Sequence, residues 1–358
     1  MADLFSSIKI GDIITKNRIF MAPLTRARVE RDAVPVPMMA EYYAQRAQAG
    51  LIISEATGIS REGLGWPYAP GIWTDEQVEA WKSVTQAVHD KGGKIVCQLW
   101  HMGRAVHSSV TGLQPVSASE TTAPDEVHTY DGKKPYEKAR ALTKSDITRI
   151  LNDYEQAARN AMRAGFDGVQ IHAANGYLID QFLRDGTNHR SDEYGGSLEN
   201  RVRLLVEVTQ RVIATVGAEK TGVRLSPNGD SQGVIDSAPE KIFVLAAQEL
   251  ERLGVAWLEL RENSTTGTFL APTDQPKLSP EIRKVFHRSL VLNQDYSFEE
   301  AQAAIRDGHA DAIAFGRKFI SNPDLPDRFA KNIPLQESNV STWYSRGEEG
   351  YIDYPFAK

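Results

Sequence analysis

At 358 residues the chain has room for one large domain or two ordinary ones, and 41% hydrophobic with 25% charged residues is a globular composition with ample material for a core. A net charge of −6 provides no basic surplus for a nucleic acid or an anionic membrane surface, so an anionic small ligand would need a local positive site. No apolar run approaches bilayer-spanning length, and Met1-Ala2-Asp3-Leu4-Phe5 lacks the charged and apolar regions of a secretory leader, so a cytoplasmic protein is expected.

Ile8-Lys9-Ile10-Gly11-Asp12-Ile13-Ile14 alternates around a Gly-Asp pair and reads as a small hairpin. The apolar run 18–24 follows it directly. From there strand-like and helix-like segments alternate, with strands expected at 18–24, 51–56, 94–100, 168–172, 222–226, 255–260, 289–293 and 312–316. The single cysteine, Cys97, falls inside the third of these runs and reads as a small buried hydrophobe, with no disulfide available to it.

Helix signals fill the intervals. Thr74-Asp75-Glu76-Gln77 and Ser297-Phe298-Glu299-Glu300 are capping boxes, and Gly92-Gly93 and Gly308 end their helices. An apolar face at Ile147, Ile150, Leu151, Tyr154, Ala158, Ala161 and Met162 follows Thr143 and stops at Gly165. Segments 197–216 and 237–253 repeat the pattern. Eight short strands alternating with helices predict an α/β fold of the closed (β/α)8 TIM-barrel type, a single domain over 1–358 with the leading hairpin plugging its N-terminal end.

Two stretches exceed ordinary connections. Residues 103–142, rich in Ser, Thr and Pro, run well beyond the ~12–15 residues at which a structureless loop becomes unusual, and are predicted to cap the C-terminal mouth. The tail 334–358 carries Trp343, Tyr344, Tyr351 and Tyr354 with little helical periodicity, and aromatics that dense are expected to pack onto something.

Barrel enzymes keep their chemistry at the C-terminal ends of the strands. Here those ends carry Thr25, Ala56, Gln98, His172 with Asn175, Arg224, Asn293 and Gly316-Arg317. The fourth run is the richest, since Gly168-Val169-Gln170-Ile171 leads into an imidazole, an amide and a phenol at His172, Asn175 and Tyr177. No lysine is placed to form a Schiff base, and no His and Asp cluster to hold a catalytic metal. Arg317 beside a glycine after the eighth strand suits a phosphate, and Arg224, read as an unpaired guanidinium, calls for a ligand with negative charge. Gln98 can donate and accept, as the pyrimidine edge of a flavin requires, so FMN satisfies the set. His101 and His107, six apart in a polar loop without nearby carboxylates, match no metal pattern and are read as structural.

Six motifs, in order, resemble the Old Yellow Enzyme family of FMN-dependent ene reductases, in the bacterial branch of N-ethylmaleimide reductase, nitrate ester reductases and 2-cyclohexen-1-one reductase. They are Met21-Ala22-Pro23-Leu24-Thr25-Arg26, Gln98 to Arg104, His172 to Leu178, Asp192 to Arg201, Phe315-Gly316-Arg317, and Gly350 to Pro355, and the likeness spans nearly the whole chain. The resemblance implies that Pro23, Thr25, Ala56, Gln98 and Arg224 surround the flavin ring, and that Gly316 and Arg317, with Asn293 beside them, hold its phosphate. It implies that His172 and Asn175 bind the substrate carbonyl, that Tyr177 is the proton donor, and that Trp66, Trp100 and Tyr344 wall the pocket. The expected reaction is hydride transfer from NAD(P)H to FMN, then to an activated alkene such as an enone or maleimide, with nitro compounds also open. The expected assembly is a monomer or homodimer.

Two positions depart from the family pattern. Asn293-Gln294-Asp295 stands where many relatives have a glycine-rich turn, and Asp295 is unwelcome beside a phosphate. Trp66 stands in place of a tyrosine and is expected to narrow the pocket. Two rivals remain: a barrel isomerase or lyase binding a phosphorylated substrate without flavin, and a non-catalytic flavin or small-molecule binder.

Overall fold

Eight parallel strands close on themselves in the computed structural model, which describes residues 2–265 and 272–357. They are Ile19–Met21, Ile52–Ile53, Ile95–Trp100, Gly168–His172, Thr221–Leu225, Trp257–Arg261, Ser289–Asn293 and Ala312–Phe315, called here barrel strands one to eight. Each pairs with its successor, and the eighth returns to the first in the register Ile313↔Ile19, Ala314↔Phe20 and Phe315↔Met21. Closure leaves no sheet edge, and the expected (β/α)8 barrel is the result.

All eight apolar runs contain strands, the first only over 19–21 of the expected 18–24, and the shortening of the second is instructive. The second was expected to continue to residue 56, yet it stops after Ile53 and pairing resumes only at Thr57–Gly58. In between, the Glu55 N–H donates to the Tyr43 hydroxyl (2.8 Å) rather than to a neighbouring strand. A side chain has taken the ladder's place.

The helices begin where their caps are. Thr74 and Gln77 close a reciprocal capping box on Asp75–Asp90, and Ser297 with Glu300 does the same for Phe298–Arg306. Thr143 caps Lys144–Arg163 with Asp146 as the reciprocal partner. Helices Leu198–Val216 and Pro239–Leu253 lie within the expected ranges. The helix Pro37–Gln45, started by proline at its first position, had not been anticipated. Cys97 is fully buried, and burial pushes its thiol up to about 12, as befits a core residue rather than a nucleophile.

The hairpin Ile8–Ile10 and Ile13–Thr15 plugs the N-terminal end. Ile10 and Ile13 are buried in one cluster with Phe20, Leu51, Ile53, Val96, Trp257 and Val291 from the barrel interior. At its tip Gly11 has φ +57, and a Cβ there would meet the Glu219 carbonyl oxygen at 2.0 Å, so only glycine lets the turn seat against the barrel.

The opposite end is covered twice. Residues 103–142 contain a short helix, Ser108–Thr111, and an antiparallel hairpin, Glu126–Thr129 with Gly132–Pro135, that leans over the mouth. The C-terminal tail is clamped to the loop after the first strand. Arg26 donates to the carbonyls of Trp343 (3.0 Å) and Gly350 (2.7 Å), and Arg28 to those of Thr342 and Gly347 (both 2.9 Å). Tyr351 stacks on Tyr42 at 4.1 Å with Arg26 over both rings. The first and last of the six motifs therefore meet in space.

Candidate active site

A cavity of about 770 Å3 opens above the strand ends, large enough for a cofactor ring and a small substrate together. Pro23, Thr25, Arg224, Arg261, Asn293 and Gly316 line it from the barrel, with Trp66, Tyr136 and Tyr344 above. Ala56, Gln98, His172 and Trp100 lie behind this surface, each 5% exposed or less.

A chain of polar side chains crosses the barrel at the base of the cavity. Gln98 Nε2 donates to Gln170 Oε1 (2.8 Å), and Gln170 Nε2 donates to Glu259 Oε2 (2.7 Å). Arg224 Nε donates to Glu259 Oε1 (2.9 Å), Arg224 Nη2 to Asn293 Oδ1 (2.7 Å), and Asn293 Nδ2 to the Ala314 carbonyl (2.6 Å). This corrects the reading of Arg224 as an unpaired charge. Strand register sets Arg224 directly against Glu259, a fully buried carboxylate that compensates it. The chain also fixes amide orientations, because Glu259 can only accept and Gln170 must turn its nitrogen toward it.

The loop after the fourth strand is pinned in an unusual backbone shape. Asn175 and Gly176 both have positive φ, 59 and 77, and a Cβ on Gly176 would meet the Ser231 carbonyl oxygen at 2.4 Å. The Asn175 N–H donates to Ser226 Oγ (2.7 Å), and the Gly176 N–H donates to Asp180 (2.9 Å), itself buried and paired with Arg184. Asn175 and Tyr177 then face the cavity.

The His172 ring carries a defined tautomer. Its Nδ1 accepts the Ala174 N–H (3.3 Å), while burial, with Arg224 and Arg261 nearby, holds its pKa well below the ordinary imidazole value. A neutral ring with Nδ1 accepting keeps its proton on Nε2. Tyr177 stands edge-on to His172 (ring centroids 5.0 Å) and to Trp100 (5.0 Å), and burial raises its phenol above the usual value. Trp100 thus backs the pair rather than forming cavity surface.

Trp66 packs against Tyr344 (5.3 Å) from the tail and His128 (5.1 Å) from the capping hairpin, so it joins the two covers into one aromatic wall. At the other end of the cavity, Gly316 and Arg317 follow the eighth strand, and Arg317 is ion-paired with Asp295. Gln294 and Asp295 have φ of 108 and 59, left-handed values that glycine adopts freely and a glutamine does not. The turn keeps a glycine-like path without glycines.

Sequence reasoning missed several participants. Glu259 lay in the run 255–260 read as a strand, Arg261 directly after it, and Tyr136, which donates to Gln232 (2.9 Å) at the cavity edge, in the capping stretch 103–142. The signal for Glu259 was a charge inside an apolar run. The two loop histidines do have carboxylates nearby, Glu62 at 3.6 Å from His101 and Glu137 at 3.9 Å from His107, yet among the described residues no group of three or more possible metal ligands forms around them. Glu62 comes from an earlier loop and Glu137 from further along the same capping stretch. Residues 185–190 form a connection held by Arg190, which pairs with Asp192 and donates to the carbonyls of Ala118 and Leu142.

A parallel barrel with a cation and hydrogen-bonding amides under a mouth cavity is the frame of a flavin oxidoreductase. The chain belongs to the NADH:flavin oxidoreductase / NADH oxidase family, whose profile matches residues 3–336. Within it the chain is of the Old Yellow Enzyme type. It is 65% identical to the old yellow enzyme homologue NCR from Zymomonas mobilis, with a TM-score of 0.98 and 99% of each chain covered. Morphinone reductase is 45% identical at a TM-score of 0.95, covering 99% of this chain and 96% of that one. Putative 12-oxophytodienoate reductase 4 from Oryza sativa subsp. japonica is 43% identical over 99% of this chain and 93% of its own length. The protein is therefore an NAD(P)H-dependent flavin oxidoreductase with FMN as its cofactor.

Proposed function

We propose that the enzyme reduces the C=C bond of α,β-unsaturated carbonyl compounds and related activated alkenes. The observation that carries this reading is one strand end and the loop after it, which put an amide and a protonated phenol on one side of the cavity with a neutral imidazole packed directly behind the phenol. Relatives named morphinone reductase and 12-oxophytodienoate reductase support an oxo-bearing substrate.

FMN, when bound, would supply the redox chemistry, hydride transfer between NAD(P)H and the alkene. The residues present fit it: Pro23, Thr25, Ala56 and Gln98 would hold the ring, and Arg224, oriented by Glu259 and Asn293, would face its developing negative charge. Gly316 and Arg317 would take the phosphate, with Arg317 exchanging Asp295 for it.

His172 Nε2–H and the Asn175 amide donate to the substrate carbonyl oxygen and stabilise the negative charge that builds there. Being neutral, His172 donates without itself giving up a proton. Tyr177 protonates the α-carbon, a role that suits a phenol held in its protonated form. Trp66 and Tyr344 shape the space around the alkene, and Trp100 supports it from behind through Tyr177. The whole of 1–358 works as one domain, because the tail that bears Tyr344 is bonded to the loop after the first strand. A cytoplasmic setting as a monomer or homodimer completes the reading.

The test is anaerobic. Cyclohexenone added to the NAD(P)H-bleached holoenzyme should restore flavin colour and yield cyclohexanone. Recovery of colour with oxygen but with no enone, maleimide or nitroalkene would overturn the proposal.

A further inference from the structure

Arg261 ends the sixth barrel strand, is 7% exposed and lines the cavity. Its Nη1 donates to Asn175 Oδ1 (3.0 Å) and its Nε to Gln294 Oε1 (3.0 Å), with Ser231 Oγ a longer 3.5 Å from Nη1. A guanidinium has donors only, so the amide facing it must present oxygen. The two ends of the Asn175 side chain are thereby told apart, and Nδ2, the only side-chain donor Asn175 possesses, is turned away from Arg261. Polarisation of Oδ1 by a cation also makes that N–H the better donor.

The far partner of Arg261 has its own signature. Gln294 sits at φ 108, where a glutamine is strained and a glycine is not, and Asp295 follows at φ 59. Its side chain accepts from Arg261 in spite of that strain. Burial next to Arg224 lowers the Arg261 guanidinium only to about 10, so it stays charged at neutral pH.

We propose that Arg261 is a positioning residue for the reaction, locking the Asn175 amide with its N–H toward the substrate carbonyl, and that Gln294 holds Arg261 in place for this. The proposal rests on the reading that Asn175 meets that carbonyl. It assigns the departure from a glycine-rich turn a task at the substrate end of the cavity, away from the phosphate.

The experiment measures binding of 4-hydroxybenzaldehyde, whose phenolate resembles the enolate-like charge on a substrate oxygen, to FMN-loaded protein by calorimetry. Arg261→Ala should weaken it roughly 10- to 100-fold, the scale of a charge-assisted hydrogen bond. Asn175→Ala should weaken it by a similar factor, and the double variant should be no worse than Asn175→Ala alone, because Arg261 acts through Asn175. Arg261→Lys should recover part of the affinity. Gln294→Gly should move two readouts in opposite directions, weakening the phenol while raising the melting temperature as the φ strain is relieved, whereas a merely structural role would lower both. Wild-type phenol affinity in Arg261→Ala, or losses that multiply in the double variant, would overturn the positioning role alone. Wild-type affinity in Asn175→Ala would remove the underlying reading of Asn175 as well, so the two failures are told apart.

Discussion

Arg224 and Glu259 form a buried ion pair between the fifth and sixth barrel strands, Nε to Oε1 at 2.9 Å, with the carboxylate wholly inaccessible to water. Cation and anion were each taken out of water by the fold, so neither is stable without the other. Arg224→Ala should therefore cost ~3–5 kcal/mol of stability from the stranded carboxylate, in addition to any loss of FMN. Adding Glu259→Gln should return much of the stability but not the FMN affinity. Chemical denaturation and cofactor titration of the two variants separate the effects; equal recovery of both would mean that Arg224 serves the fold alone.

Tyr177→Phe keeps the ring contacts with His172 and Trp100 and removes only the hydroxyl. Cyclohexenone reduction should fall by ~10²–10⁴-fold, the usual range for loss of a positioned acid. Flavin reduction by NAD(P)H should be nearly normal. A nitroalkene should suffer less, since its nitronate can leave and take a proton from water. Rapid-mixing kinetics of the two half-reactions check this, and an equal slowing of all three substrates would point to a loop-supporting role.

At the end of the cavity proposed for the phosphate, Arg317 is paired with Asp295, which would compete with that ligand. Asp295→Asn removes the competing charge while keeping a residue that tolerates positive φ. FMN should bind roughly three- to tenfold tighter, in line with the ~1 kcal/mol of a partly exposed charge pair, and the gain should shrink at high salt. Fluorescence titration of the apoprotein with FMN measures it. Unchanged or weaker binding would show that Asp295 orders Arg317 for the phosphate rather than opposing it.

Buried Glu55 has its carboxyl raised to about 7, chiefly by burial and despite hydrogen bonds from the Arg26 N–H and the Tyr43 hydroxyl. Below about pH 4.5 both folded and unfolded chains keep this proton. Between there and about pH 7 the unfolded chain releases it first, so stability falls as pH rises, by on the order of 3 kcal/mol in all. His172 has the opposite sign: its lowered pKa withdraws stability as pH falls below about 6.5, where the unfolded chain gains a proton the folded ring refuses. Relative to the parent, Glu55→Gln should thus melt progressively higher from pH 5 to about pH 7, with the difference levelling off by pH 8. A constant difference across that range would mean that Glu55 is already ionised in the fold.

Much of this was legible in the chain because it is local. Strand runs, capping boxes and the His172-to-Tyr177 loop declare themselves within a few residues, and the barrel followed from their alternation. What escaped depends on register and long-range meeting. Arg224 faces Glu259 only once the two strands align, and Arg261, just past the expected strand, carries no signal until Asn175 and Gln294 arrive beside it. Asp295 could be flagged as out of place from sequence, but its partner and the strained path of Gln294 could not.

The arginine clamp on the tail has a consequence for synthesis. Arg26 and the Gly350 carbonyl it holds are separated by 324 positions, and Tyr344 hangs between the two carbonyls bound by Arg26. The ribosome thus delivers one wall of the active site last, after every barrel strand has emerged. A chain clipped before Trp343 would strip Arg26 and Arg28 of most of their carbonyl acceptors, leaving Tyr42 and Thr342 among those that remain, and would open the cavity along the flank that Tyr344 lines. Such a protein could take hydride from NAD(P)H and lose it to dissolved oxygen. Docking of the tail and enclosure of the cavity are one event, so the barrel and its cover are not independent parts.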